Sequence, residues 1–274
     1  LKRLIKADSA ERGQAVSKLG YFCAPFRPAS GPLSEKVIKV YRGLRNLAEL
    51  ERLAQCHDDY VAALALTGVE LPQTEFHLLE IDGARIPVIV QQALPSDSMM
   101  RPQIIASDLD GAVEMMEAAG QVIATFWNNA DKVDGRVGFH PSIRNFAYFD
   151  GKALFFDTFP PLIHYTRDEM GKMLLTFSDK RLMRWVGPFI QGRVTGIQDE
   201  WYSAPETLVG LVGSACRLRP NDSDAFLEWG IDFAHRAMPR WAQEAIPEMK
   251  APPKLPAYWT GFRKVLGLQG EPNV

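Results

Sequence analysis

An asparagine follows a histidine by five residues in the stretch GFHPSIRNFAYFDGKALFFDTFPP, residues 138–161, and an apolar run then ends on a single aspartate. The three side chains are His140, Asn145 and Asp157. A carboxylate that closes a buried hydrophobic run is costly unless it is ionised against a cation or accepts hydrogen bonds. Asn145 adds a neutral amide oxygen, so the pair suits a hard cation such as magnesium, which takes one or two protein oxygens and leaves its other positions to phosphates and water. Taken singly, Asp157 also reads as a helix cap or turn residue and Asn145 as a loop hydrogen-bonder. His140 offers an imidazole whose unperturbed pKa of ~6.5 suits mild base work, and it also reads as a residue bonded within its own loop. A fourth candidate, Lys39, lies between Ile38 and Val40. By itself it reads as a solvent-facing lysine on an edge strand.

The elements that must position these residues follow from periodicity. YFCAPF predicts a strand, RPASGPLS a turn-rich link, and KVIKVYR a sheet strand alternating Val37, Lys39 and Tyr41 against Ile38 and Val40. Apolar residues at helical spacing predict a helix over Asn46 to Leu66, ended by Gly68 and Pro72. EFHLLEID and RIPVIVQQAL predict a strand pair joined by the hairpin signal Asp82-Gly83. SDLDGAVEMMEAAGQVIATFWNNA predicts a long helix. GRVGF and KALFF are short apolar runs flanking a polar loop that contains Asn145, with a turn at Asp150-Gly151. Helical periodicity dominates from Arg167 to about Ala245. The start, LKRLIKADSAERGQ, reads as an amphipathic surface helix, and AYWTGFRKVLGL near the end as a segment that packs back on the body. The expected architecture is α+β: a sheet-rich lobe over 1–92, a connector near Gln91–Ser98, and a helical lobe over 93–274 that carries the loop 138–161.

The order of VIKVYR, an acid-bearing helix, a hairpin and connector, HPSIRNF and then FFDTF resembles the protein-kinase-like superfamily, especially its aminoglycoside-phosphotransferase-like branch. The resemblance covers roughly Gly20 to Pro161. It implies a two-lobed fold with a small antiparallel-sheet N-lobe and a helical C-lobe, and ATP or another nucleoside triphosphate with Mg2+ as cofactors. Position by position, Lys39 is similar to the strand lysine that contacts the α- and β-phosphates. DDYVAALALTGVELP resembles the branch's helix pattern and puts Asp59 where its Glu usually stands, with Asp58 or Glu51 as alternatives. VIVQQALP resembles the hinge, where backbone groups of Gln91, Gln92 and Ala93 would meet the base. Asn145 and Asp157 match the two magnesium-holding residues. Two departures bear on activity. The catalytic-loop Asp, five residues before the Asn, is here His140. The phosphate loop, glycine-rich in the family, offers only Gly20 in SKLGYFCAPF, a weak cradle. The implied activity is phosphoryl transfer to a hydroxyl of a small molecule or peptide; the alternative is a pseudokinase that binds nucleotide or a protein partner.

Composition narrows the field without choosing. The chain of 274 residues is 46% hydrophobic and 23% charged with a formal net charge of −2, so it can bury a sizeable core and gives no broad electrostatic case for nucleic acid or an anionic membrane. Cys23, Cys56 and Cys216 have no paired spacing, which argues against a disulfide framework or zinc site and suits a reducing cytoplasm. No apolar run approaches the ~18 residues of a membrane span. His57, His77, His164 and His235 are dispersed and read as structural, there is no Gly-x-Ser-x-Gly elbow, and tryptophans such as Trp185, Trp201, Trp229, Trp241 and Trp259 read as core or groove-wall residues.

Overall fold

The computed structural model describes residues 1–7, 9–15, 23, 25–44, 46–177 and 199–251. Among these, a small antiparallel sheet precedes a largely helical region, an α+β arrangement. The chain divides into two compact units, one made of Leu1–Ala62, Pro72–Leu94 and Thr158–Gly196, the other of Ala63–Leu71, Pro95–Asp157 and Ile197–Val274. The break after Leu94 lies close to the expected cut after Gln92, but the stretch beginning at Thr158 belongs with the strand-bearing unit.

In the first unit, β1 (Gln14–Ala15), β2 (Phe26–Arg27), β3 (Lys36–Val40), β4 (Thr74–Ile81) and β5 (Ala84–Gln92) form one sheet in the order β1-β2-β3-β5-β4. Every neighbouring pair is antiparallel. The β4–β5 hairpin closes on Asp82-Gly83, both at positive φ (52° and 74°), as a two-residue turn between right-twisted strands requires. One sheet face buries Phe26, Ile38, Ile81, Ile86, Val88 and Val90 together with Ile5 of the short helix α1 (Lys2–Lys6), which α2 (Ser9–Arg12) follows. On the opposite face one row crosses the sheet from Lys39 through Ile89 to Phe76. Helix α3 (Leu47–Leu66) buries Leu50, Leu53, His57, Tyr60 and Leu64, the i, i+3, i+4 stripe of an amphipathic helix.

In the second unit, α4 (Met100–Ala106) and α5 (Leu109–Asn129) precede a two-stranded hairpin of β6 (Phe146–Phe149) and β7 (Lys152–Phe155). Asp108 caps α5 by accepting from the Gly111 N–H at 2.9 Å. Phe126 stacks on Phe139 with ring centroids 4.7 Å apart, and Phe139 meets Phe155 at the same distance, so an aromatic core lies directly under the loop before β6. In the first unit α6 (Arg167–Phe177) follows; the second continues with α7 (Ala204–Leu218), α8 (Ser223–Ala237) and α9 (Ala242–Lys250).

The structure corrects one strand and adds one helix. The hairpin's first strand is FAYF, not GRVGF, because Asp150 and Gly151 both take positive φ and pair Phe149 directly with Lys152. A two-residue turn needs its strands immediately on either side. Helix α4 carries Pro102 in its first turn, where a missing N–H costs little. Half of the expected strand YFCAPF, residues 21, 22 and 24, falls outside the described residues, as do Gly20, Trp185, Trp259 and the carboxy-terminal AYWTGFRKVLGL.

Candidate functional site

The loop 138–145 is fixed from both sides. The Phe139 N–H donates to the Trp201 carbonyl at 2.6 Å, and an added Cβ at Gly138 would sit 2.9 Å from that same oxygen, so only glycine allows this approach. A short 3-10 turn, Ile143–Asn145, ends the loop, with the Asn145 N–H donating to the Ser142 carbonyl at 2.8 Å. The Asn145 carbonyl then accepts from Phe156 N–H at 3.0 Å, extending the β6–β7 pairing one step beyond Phe146↔Phe155. Asp157, half-buried, is the next residue, so the hairpin ties the end of the apolar run to the loop that holds Asn145.

Asn145 is 5% exposed, and its Nδ2 donates to the His140 carbonyl at 3.1 Å. That bond turns the amide nitrogen toward the loop and the amide oxygen away from it. One amide oxygen and one carboxylate are what a magnesium ion accepts from protein when phosphates complete its shell, and too little to hold it without them. Among the described residues no group of three or more His, Cys, Asp or Glu side chains gathers to hold a metal by itself.

The His140 ring lies against Trp201 with centroids 4.4 Å apart. Burial, reinforced by the Arg144 charge, pushes its pKa down to about 4. The imidazole is therefore neutral at physiological pH. Its Nδ1 is 3.5 Å from Asn145 Nδ2, at the edge of hydrogen-bonding distance.

Lys39 belongs to the other unit. Its strand lies between β2 and β5, so it is not an edge strand, and the side chain is only 8% exposed. The solvent-facing reading of Lys39 is thereby removed. On α3, the titration of His57 registers the Lys39 charge. His57 is 1% exposed, its Nε2 lies 2.9 Å from Thr158 Oγ1, and its ring is 5.0 Å from that of Phe76. Burial first and Lys39 second hold its pKa at about 4. Asp59, the first acid expected to face Lys39, accepts from Gln55 Nε2 at 2.9 Å and lies 3.2 Å from His164 Nε2. Glu51 meets Arg85 at 3.3 Å, and Asp58 is exposed, its pKa raised by partial burial and by Asp59.

The segment after Asp157 packs onto this unit. Thr158, Phe159, Leu162 and Ile163 are buried, the Phe159–Pro160 peptide is cis, and Phe159 stacks on Tyr41 at 3.8 Å. Arg52 of α3 grips Glu169 at 2.7 and 3.3 Å and donates to the His164 carbonyl at 3.1 Å. At the connector, Gln91 is 3% exposed and its Nε2 donates to Thr74 Oγ1 at 2.8 Å. The N–H groups of Gln92 and Ala93 donate to the Gln73 and Glu35 carbonyls at 2.8 and 2.9 Å, so neither is left for a purine edge.

Sequence reasoning read His57 as structural and passed over Ser142. An isolated histidine in a helix carries no spacing signal, although its place on the buried stripe with Leu53, Tyr60 and Leu64 could have drawn notice. Ser142 lies inside the quoted motif, but a serine there has no signature of its own.

No curated protein matches the chain. A family match covers residues 1–270, nearly the whole length, and on that extent the chain belongs to DUF6206, a family of unknown function.

Proposed function

We propose that this protein is a kinase-like phosphotransferase that moves a phosphoryl group from a magnesium nucleotide to a hydroxyl. The strand-bearing unit and the helix-rich unit correspond, in this reading, to the two lobes of that fold. The observation that carries it is the coupling of Asn145 to the residue before Asp157 through the loop and hairpin. That coupling gives an amide and a carboxylate a fixed backbone relation, which suits a metal-bound phosphate that needs both. The buried Lys39 on a central strand agrees, since a lysine ordered within a sheet is suited to an anionic ligand. When bound, magnesium would neutralise phosphate charge; Asn145 and Asp157 would hold it.

His140 stands where the superfamily carries its Asp, and its chemistry limits the role. With a pKa of about 4 it is no stronger a base than a carboxylate, and the neutral ring keeps one N–H to donate. It therefore orients the acceptor oxygen, donating to one lone pair while another attacks phosphorus. As the O–P bond forms and the bond to the nucleotide's leaving oxygen breaks, the hydroxyl proton passes to the transferred phosphoryl group. Positioning and electrostatics supply most of the rate in such transfers, so a weak base suffices.

The pseudokinase reading has its own support: the Gln92 and Ala93 N–H groups are engaged within the chain, and His140 is poorly basic. ADP production from Mg-ATP across a panel of hydroxyl acceptors separates the two. Acceptor-dependent ADP that is lost in Asp157→Asn supports the enzyme; nucleotide binding with no ADP above background for any acceptor supports the pseudokinase. The thiols of Cys56 and Cys216 agree with a reducing cytoplasm, and among the described residues no helix is long and apolar enough to cross a membrane.

A further inference from the structure

We propose that the outer edge of β4 pairs with the β4 of a second copy of this chain, antiparallel about a twofold axis through His77. The inference concerns the first unit alone and stands whether or not the chain transfers phosphate. β4 ends the sheet order, and no bulge interrupts its register with β5 from Thr74↔Gln91 to Ile81↔Ala84. Pro87 of β5 has no N–H, and its carbonyl accepts from the Tyr41 N–H at 3.0 Å on the β3 side. Leu78, opposite Pro87 in the hairpin, therefore has its own N–H and C=O aimed away from β5. Alternation gives Thr74, Phe76 and Glu80 the same outward aim. Among the described residues no other backbone group bonds to these outward groups.

Sheet edges are kept from pairing by shortness, proline, bulges or lysine. The opposite edge, β1, is only two residues long. β4 is eight residues long, against a usual five or six, and carries neither proline nor lysine. Phe76, His77, Leu78 and Leu79 in its middle are half-exposed, with Glu75 and Glu80 on either side of them. The side chains of this edge fit the edge itself. Outward groups must face outward groups, so a twofold axis that pairs most of the strand passes through His77 or Leu78. An axis through Leu78 would set the Phe76 ring against the partner's Glu80 carboxylate. An axis through His77 sets Phe76 against the partner's Leu78 and Leu78 against the partner's Phe76, each pair exchanging N–H···O=C bonds. Glu80 then faces the partner's Thr74. Aromatic and aliphatic side chains opposed in this way are favourable, and no carboxylate meets another. His77 faces the partner's His77 across a non-hydrogen-bonded pair, where side chains approach most closely.

Sedimentation equilibrium and residue-resolved hydrogen exchange on the full chain test this. The wild type should pass from monomer to dimer as its concentration rises, and the Phe76, Leu78 and Glu80 amides should slow their exchange over the same range. His77→Lys or His77→Glu alone places like charges opposite each other and should weaken the dimer about tenfold or more. An equal mixture of the two variants should restore it as a heterodimer. A chain that stays monomeric at the highest concentration it tolerates overturns the proposal. So does a dimer in which those amides exchange as fast as in the monomer, or a mixture that associates no better than either variant. Amides protected equally at every concentration would put another segment on the edge and overturn it as well. The exchange measurement needs no variant, so it decides even if a substituted chain folds poorly.

Discussion

Acidification should destabilise the protein through His57, by an amount its surroundings set. The imidazole is 1% exposed, bonded at Nε2 to Thr158, and its Nδ1 is buried with no hydrogen-bond partner. A proton on that ring would be a desolvated charge near Lys39, and Asp58 Oδ1, 3.9 Å from Nδ1 but largely exposed, offsets little of that cost, so the folded pKa falls to about 4 from 6.5. Between those values the unfolded chain binds a proton that the folded chain refuses. Stability from His57 is therefore fully present above pH 6.5, declines as pH falls from 6.5 to 4, and is constant below that. At 1.36 kcal/mol per unit, the loss between pH 7.5 and 4.5 is about 2.5 kcal/mol, a large share of a typical domain's stability. His57→Gln keeps a donor for Thr158 but cannot titrate. Urea unfolding of both proteins at several pH values should show the wild type losing about 2.5 kcal/mol more than the variant on acidification. Other groups, His140 among them, cancel in that difference. Identical pH dependence in the two proteins, or a His57 ring-proton resonance that titrates near 6.5, would refute the reasoning.

Further tests address packing and the loop. Gly120→Ala should lower stability by about 1–3 kcal/mol in thermal melts, because the new Cβ would lie 2.9 Å from the Phe233 ring, closer than a packed core allows. Arg219 donates to the Ile104, Ser107 and Asp108 carbonyls at 3.1, 2.6 and 2.9 Å where α4 hands over to α5, so Arg219→Ala should cost about 2–3 kcal/mol in urea unfolding. If the protein turns over, its rate should stay flat from neutral pH down to about 5, because His140 is neutral throughout that range; His140→Ala should slow turnover by removing the orienting ring, and a limb centred near 6.5 that His140→Ala removes would contradict the burial assigned to the ring.

What the sequence disclosed follows the reach of local physics. The β4–β5 hairpin was readable because Asp82-Gly83 is a turn signal that needs no distant partner, and α3 because its stripe from Leu50 to Leu64 is periodic. The FAYF strand was not, since Asn145 just before it made the stretch look like loop, and only the pairing Phe149↔Lys152 fixes the register. Lys39 was ambiguous for a related reason: alternation gives the face of a strand but not whether neighbours flank it, and β2 and β5 make β3 central. Asp59, placed by analogy among the acids of α3, lies beside His164, more than a hundred residues downstream. No local pattern encodes a contact between segments so far apart in the chain.

The most direct test is calorimetric titration of the full chain with ATP, with and without magnesium, on the wild type and Asp157→Asn. Asn145 and Asp157 together are too few ligands to bind the metal without phosphate oxygens, so magnesium alone should give no heat of binding. ATP should bind the wild type more tightly with magnesium present, and Asp157→Asn should erase that gain while leaving metal-free ATP binding nearly unchanged. No ATP binding under either condition, or the same magnesium effect in both proteins, would contradict the assignment of Asp157 and Asn145 to a metal–nucleotide site.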